Sequence, residues 1–339
     1  MKQGLHLAFV YIGLVIGAGF ASGREIIEYF NFTSGTDHSG IVLATFLFIL
    51  VCYIILERAR KYSLYSCNDY LKALTGRFIV PVKIFMIFYL FCGFFTMLAG
   101  SGALLSQSYM LPTGFGIFLL AIICLFVLIF NLKGIVVFNT ILVPCMLLGI
   151  VYICIDSSLF GTCSVFSFHG LTRGILTSAI CYVSYNTISA ASVLVPLQKG
   201  ISKKGVRVAS YTGGIVLGFL IFVVWSTQNL HLEALWDSEL PMLKLASMSG
   251  RLQKHIYTII LFMAICTTAV SQAFGILNFI SFKNNKQRIS GIVMLCILSI
   301  PFAFVGFSAL VAHLYSFFGT VGLIWLVWII ADYIKNKAL

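Results

Sequence analysis

The chain has 339 residues, of which 60% are apolar and 9% charged, with a mean hydropathy of +1.04. A soluble domain carries roughly 25% charged residues, so composition excludes one and predicts an all-α polytopic membrane protein. The net charge of +12 does not mark a nucleic-acid partner, because most of it follows a membrane topology.

At roughly 20 residues per crossing, the apolar stretches divide into ten spans. They fall near 4–30, 39–57, 80–109, 114–132, 135–155, 172–197, 206–228, 254–282, 288–307 and 312–334. With a cytoplasmic N-terminus, 17 of the 22 basic residues lie inside: Lys2, the 58–83 cluster, Lys133, the 199–207 and 283–288 clusters, Lys335 and Lys337. The five others, Arg24, Arg173, Lys244, Arg251 and Lys254, lie outside among acidic residues. Both termini are therefore predicted to be cytoplasmic. Lys2 and the apolar run behind it read as a retained first span rather than a signal peptide.

The first span is interrupted by Gly13, Gly17, Gly19 and Gly23. Unwound backbone survives in a bilayer only where protein buries it or a cavity or ligand satisfies it, and broken helices that hold substrate at the midplane are a transporter device. A Gly-x-x-x-small packing face at 13, 17 and 21 is the other meaning of the same residues. Beyond the break, Arg24, Glu25 and Glu28 are read as lying toward the outer face. The i,i+4 pair Arg24 and Glu28 is either an outer gate or a solvated helix end. No titratable residue is expected at any span centre, which disfavours proton coupling.

Span 3 carries Gly93, Thr96, Met97 and Gly100. Span 6 has a polar, small-residue run from Ser184 to Ser192, half a chain from the first break. Spans 3 and 8 are both long, and each follows a long amphipathic connection, 58–79 and 229–253. Two halves of one length pattern, 1–155 and 156–339, each with an odd number of spans, predict a five-plus-five inverted repeat with discontinuous helices 1 and 6.

The string Ile16-Gly17-Ala18-Gly19-Phe20-Ala21-Ser22-Gly23-Arg24-Glu25-Ile26 resembles the first span of the YkvI-like bacterial permease family, in the amino acid, polyamine and organocation superfamily. The likeness runs in span number and length over nearly the whole chain. It implies the LeuT-type fold and a bacterial cell membrane. In LeuT-type carriers a sodium ion is held by two span 1 carbonyls, a span 8 carbonyl and two adjacent span 8 hydroxyls in an Ala-x-x-Ser/Thr-Ser/Thr pattern. Ala264-Ile265-Cys266-Thr267-Thr268 is similar to that pattern, and aligning the Gly-x-Gly of the break implies Gly13 and Ile16 as the carbonyl donors. Oxygen ligands suit a hard cation. The two threonines have a second use, bonding back to carbonyls one turn earlier.

For the solute, Gly17, Ala18, Gly19 and Phe20 form one expected wall. Tyr182, Ser184, Tyr185, Asn186 and Ser189 form the other, with Thr96 and Gly100 from span 3. Free amides at the break suit a carboxylate. With no carboxylate expected near the site, a basic solute is disfavoured against a neutral amino acid or related carboxylate. The chain has no H-E-x-x-H, and its histidines at 6, 38, 169, 231, 255 and 313 lack ligand spacing, so it reads as no enzyme and takes no cofactor beyond sodium. Its ten cysteines include no C-x-x-C; Cys154 and Cys163 flank one outer loop but are not expected to pair. The expected function is sodium-coupled secondary transport of a small solute. A sensor that binds without moving its solute, and a proton-coupled or uncoupled permease, are the alternatives.

Overall fold

The computed structural model describes residues 2–31, 38–129, 132–158, 173–280 and 282–337, and the described residues are helical with no strand. The helices are α1 (Lys2–Val15), α2 (Ala18–Ser22), α3 (Arg24–Ile26) with a π-turn over Ile27–Asn31, α4 (Ser39–Lys61), α5 (Cys67–Thr75) and α6 (Ile79–Tyr109). They continue with α7 (Thr113–Ile129), α8 (Leu132–Ser158), α9 (Arg173–Leu197), α10 (Lys203–Leu230), α11 (Leu232–Leu235) and α12 (Pro241–Ser249). The chain closes with α13 (Arg251–Phe279), α14 (Asn285–Ala303) and α15 (Phe307–Lys337).

Six helices among the described residues are long and apolar enough to cross a membrane: α4, the stretch ending in α6, α10, α13, α14 and α15. A seventh, α9, is bent by 48° between Ile188 and Ala190. Thr113–Ile129 and Val143–Ser157 are shorter apolar helices. The two amphipathic connections become short helices, α5 after the second span and α11 with α12 before α13. Ser66 caps α5 by accepting the Asp69 amide at 3.0 Å, which satisfies one of the free N–H groups of its first turn.

Helix association in a bilayer depends on close backbone approach, because lipid offers apolar side chains no reason to cluster. On α10, Gly214 abuts Ile49 and Gly218 abuts Thr45 of α4, and a Cβ at either glycine would overlap those side chains. In the same way Gly213 receives the ring of Tyr11 from α1, whose hydroxyl donates to the Phe48 carbonyl at 3.1 Å. Helices α1, α4, α9 and α10 thus form one packed group, while α13 packs along α6 and α8. The interrupted first span joins the two groups, with α1 in the first and α2 packed against α13. The described cysteines are unpaired; Cys163 lies outside the described residues, and so does its pairing with Cys154.

Candidate solute and ion site

The first span breaks twice. Gly17 is extended (φ −89°, ψ −170°), and its amide turns to the Val15 carbonyl at 2.9 Å instead of reaching Gly13. Helical bonding resumes with the Ala21 amide on the Gly17 carbonyl at 2.9 Å. The carbonyls of Gly13 and Ile16 are thereby left without the amide that a continuous helix supplies four residues on. At Gly23 the backbone enters the left-handed region (φ 81°), open to glycine at no steric cost. Gln228 of α10 donates to the Gly23 carbonyl at 2.9 Å and occupies the space a Cβ would take.

The second break has the larger effect on the site. It turns the chain so that Glu25 folds back along α2 against Gly19, where any Cβ would overlap Oε1. The expectation that Glu25 faces outward is therefore corrected: the residue is 1% exposed and lines a central cavity. The expectation of no carboxylate near the site falls with it, and so does the reason for disfavouring a basic solute. Tyr185 donates to Glu25 Oε1 at 3.0 Å, and the hydroxyls of Tyr315 and Tyr182 stand beside the same carboxyl. Oε2 makes no hydrogen bond.

The cavity holds about 20 Å³ of water-accessible volume, room for about one water. Gly17, Ala18 and Glu25 line it from the first span, Gly93, Thr96 and Met97 from α6, Tyr185 and Asn186 from α9, and Thr268 and Gln272 from α13. Tyr89 of α6 and Tyr315 and Phe318 of α15 complete an aromatic side. Tyr89 and Phe318 have ring centroids 4.9 Å apart, Tyr185 and Tyr315 4.7 Å.

The structure brings together only part of the expected solute wall. Gly17, Ala18, Thr96, Tyr185 and Asn186 line the cavity, although Thr96 Oγ1 is spent on the Cys92 carbonyl at 2.8 Å. Gly19 acts as the surface against which Glu25 rests. Phe20 is buried in the apolar core, and Gly100 packs against Phe307. Tyr182 belongs to a ring cluster with Tyr29, Phe30 and Phe48. Ser184 is turned to α15, donating to the Gly319 carbonyl at 2.9 Å. The side chain of Ser189 lies outside the described residues, but its backbone sits at the α9 bend.

For the expected ion ligands the two threonines differ. Thr267 Oγ1 bonds back to the Ala264 carbonyl at 2.9 Å, the helical alternative. Thr268 Oγ1 has no hydrogen-bond partner and faces the break, 3.0 Å from where a Gly17 Cβ would stand. Gly13 is packed against Val143. Outside the cavity, Arg24 pairs with Glu28 at 2.7 Å and donates to the Trp236 carbonyl at 3.0 Å, tying the first span to the connection ahead of α12.

Among the cavity residues that escaped the sequence reading are Gln272, Tyr89, Tyr315 and Phe318. Helical spacing held a signal for each. Gln272 is one turn beyond Thr268, Tyr89 shares a face with Gly93 and Thr96, and Tyr315 and Phe318 are three apart.

No family model matches the chain. It is 30% identical over 345 residues to the uncharacterized protein YyaD of Bacillus subtilis (strain 168), covering 99% of this chain and 98% of that one. This chain belongs to the YyaD/YkvI family of membrane proteins. To the uncharacterized membrane protein YkvI of the same organism it is 28% identical over 335 residues, 94% of this chain and 92% of the relative. Among solved structures it is similar to MhsT in complex with L-phenylalanine (TM-score 0.71, 16% identity, 100% of this chain and 92% of that one). It is also similar to a Na+-coupled sialic acid symporter in a substrate-bound outward-open state (TM-score 0.63, 14% identity, 94% and 75%). The YyaD/YkvI chain thus has the LeuT-type fold and is a membrane protein.

Proposed function

We propose that this family member is a secondary active transporter that moves a small amino acid or related carboxylate across the cell membrane by alternating access, coupled to sodium. The proposed frame is ten spans in two inverted five-span halves, 1–155 and 156–339, with both termini cytoplasmic.

The observation that carries the reading is the cavity at the first break. It lies where helices from both halves meet, α1, α2 and α6 from one and α9, α13 and α15 from the other. Inverted-repeat transporters hold their solute between the halves, at discontinuous helices. Polar groups set among tyrosine and phenylalanine surface suit a small organic solute. The unpaired hydroxyl of Thr268, 3.0 Å from the Cβ position of Gly17 at the break that releases the Gly13 and Ile16 carbonyls, supports sodium as the coupling ion, since a hard cation takes oxygen ligands. Arg24 and Gln228, which tie the outer end of the first span to neighbouring elements, are contacts that must part if the cavity is to open outward.

The test is uptake of labelled amino acids into proteoliposomes under imposed ion gradients. Accumulation above equilibrium that collapses when the sodium gradient is removed supports the proposal. Uptake unchanged without that gradient overturns sodium coupling, and a pH gradient then separates a proton-coupled from an uncoupled permease. A solute that raises the melting temperature but is never accumulated under any gradient identifies a sensor.

A further inference from the structure

The buried carboxyl of Glu25 has no place in the sodium site expected between the first and eighth spans, which uses carbonyls and hydroxyls. Yet it is one of three unpartnered oxygens on the same cavity. Glu25 Oε2, Thr268 Oγ1 and Gln272 Oε1 each lack a hydrogen bond. They come from two elements far apart in sequence, and each residue lines the same water-sized space. Buried polar atoms are almost always paired, and an isolated buried carboxylate is more costly than any neutral group. Three unpaired oxygens able to accept, one of them a carboxyl's, around one small cavity fit a group that carries positive charge, with the unpaired Tyr182 hydroxyl beside the same carboxyl.

The surroundings supply no such charge. Among the described residues no lysine, arginine or histidine lines the cavity. Arg24, adjacent in sequence, is directed outward to Glu28 and the Trp236 carbonyl. The rings of Tyr89, Tyr185, Tyr315 and Phe318 add electron-rich faces, which attract cations in a desolvated pocket. Among the described residues no group of three His, Cys, Asp or Glu could hold a metal, so the donors do not suit a transition ion.

We propose that Glu25, Thr268 and Gln272 form an acidic site, sharing Thr268 with the expected sodium site, for a compact monovalent cation, supplied either as a free alkali ion or as the ammonium end of the solute. The proposal deepens the transport reading, because a cation bound at the first break neutralises the Glu25 carboxylate where the two halves meet. An ammonium group has three N–H donors for the three oxygens; an alkali ion takes the same oxygens as ligands.

The test uses the purified full-length protein and its melting temperature at fixed ionic strength. Sodium, potassium and methylammonium chloride are compared with N-methyl-D-glucamine chloride, whose cation is too large for the cavity. A ligand that binds only the folded state raises the melting temperature by mass action. The expected result is a rise of several degrees with a compact cation, abolished in Glu25→Gln and reduced in Glu25→Asp, which keeps the charge but shortens its reach. A rise with sodium or potassium alone assigns a free ion; a rise with methylammonium alone assigns the ammonium end of a solute. If Glu25→Gln retains the sodium response while Thr268→Ala loses it, the acidic site is overturned and the ion lies with the carbonyls and hydroxyls between the first and eighth spans. If no compact cation raises the wild-type melting temperature, Glu25 is a neutral core group and the proposal is again overturned. Should Glu25→Gln fail to fold, Gln272→Met must still abolish the rise, and a full rise in that variant overturns the site. None of these outcomes depends on transport, so the flux experiment stands or falls separately.

Discussion

Tyr185 donates a hydrogen bond to Glu25 Oε1 at 3.0 Å across 160 residues of sequence, joining the interrupted first span to the bent helix α9. Replacing Tyr185 with phenylalanine leaves the ring and removes the donor, so a buried carboxyl loses its hydrogen-bond partner. Such losses cost about 1–3 kcal/mol. The expected outcome is a lower melting temperature with no change in the helical circular dichroism, and an unchanged transition would mean that the Glu25 carboxyl does not depend on this bond.

Gly19 leaves the space into which the Glu25 carboxyl folds, and a Cβ there would overlap Oε1. Gly19→Ala is therefore expected to destabilise by about 1–3 kcal/mol, the range for overpacking a filled interior. Gly174, in the first turn of α9 with nothing within 4 Å of its Cβ position, is the comparison. Gly174→Ala is expected to be neutral or stabilising by up to about 1 kcal/mol. Equal melting temperatures for the two variants would contradict the described packing of Glu25.

Thr267 and Thr268 are neighbours in sequence with opposite hydrogen-bonding states. Thr267→Val removes a bond to the Ala264 carbonyl and is expected to cost about 0.5–1.5 kcal/mol in any salt. Thr268→Val removes a hydroxyl that bonds to nothing in the protein, so it is expected to leave stability in N-methyl-D-glucamine chloride little changed and to abolish any rise in sodium chloride. Paired melts of both variants in the two salts separate the structural from the ligand role.

Arg58 of α4 is ion-paired with Asp332 of α15, their side chains 7% and 16% exposed, and Arg58 also donates to the Ala73 carbonyl at 2.7 Å. Asp332→Asn leaves a buried guanidinium without its counter-charge, which costs about 3–5 kcal/mol. Removing both partners, as Arg58→Met with Asp332→Leu, is expected to recover much of that loss. A double variant no more stable than the single one would show that the pair does more than neutralise itself.

The Arg24–Glu28 pair is partly exposed, at 21% and 36%, and contributes under about 1 kcal/mol. Arg24→Gln is expected to leave the melting temperature nearly unchanged while freeing the outer end of the first span from the Trp236 carbonyl. Cys92 is buried beside the cavity and reports the consequence. In a variant retaining only that cysteine, Arg24→Gln is expected to speed its modification by a membrane-impermeant thiol reagent applied from outside. An unchanged rate would argue against Arg24 as a gate.

Glycine spacing in the first span and the membrane class were legible in the sequence because both are local properties. Hydrophobic run length is imposed by the bilayer, and clustered glycines weaken a helix where they stand, as at Gly17, whose amide leaves the Gly13 carbonyl for that of Val15. The same string marked Gly17 and Ala18 as cavity residues. The position of Glu25 was not legible. On a straight helix it lies two turns outward of the break, whereas the left-handed Gly23 turns it back onto Gly19 and into the cavity.

By itself the sequence determined an all-helical membrane chain, its interrupted first span and the Ala264–Thr268 pattern, because composition, helix breaking and short motifs depend on neighbours along the chain. Only the tertiary structure decided which polar groups remain unsatisfied. Thr267 turns to its own helix and Thr268 to the break, Ser184 turns to α15, and Glu25, Thr268 and Gln272 meet around one cavity. Whether a side chain's hydrogen bonds are spent on the fold or left for a ligand depends on what packs against it, and that is set by contacts between helices distant in sequence.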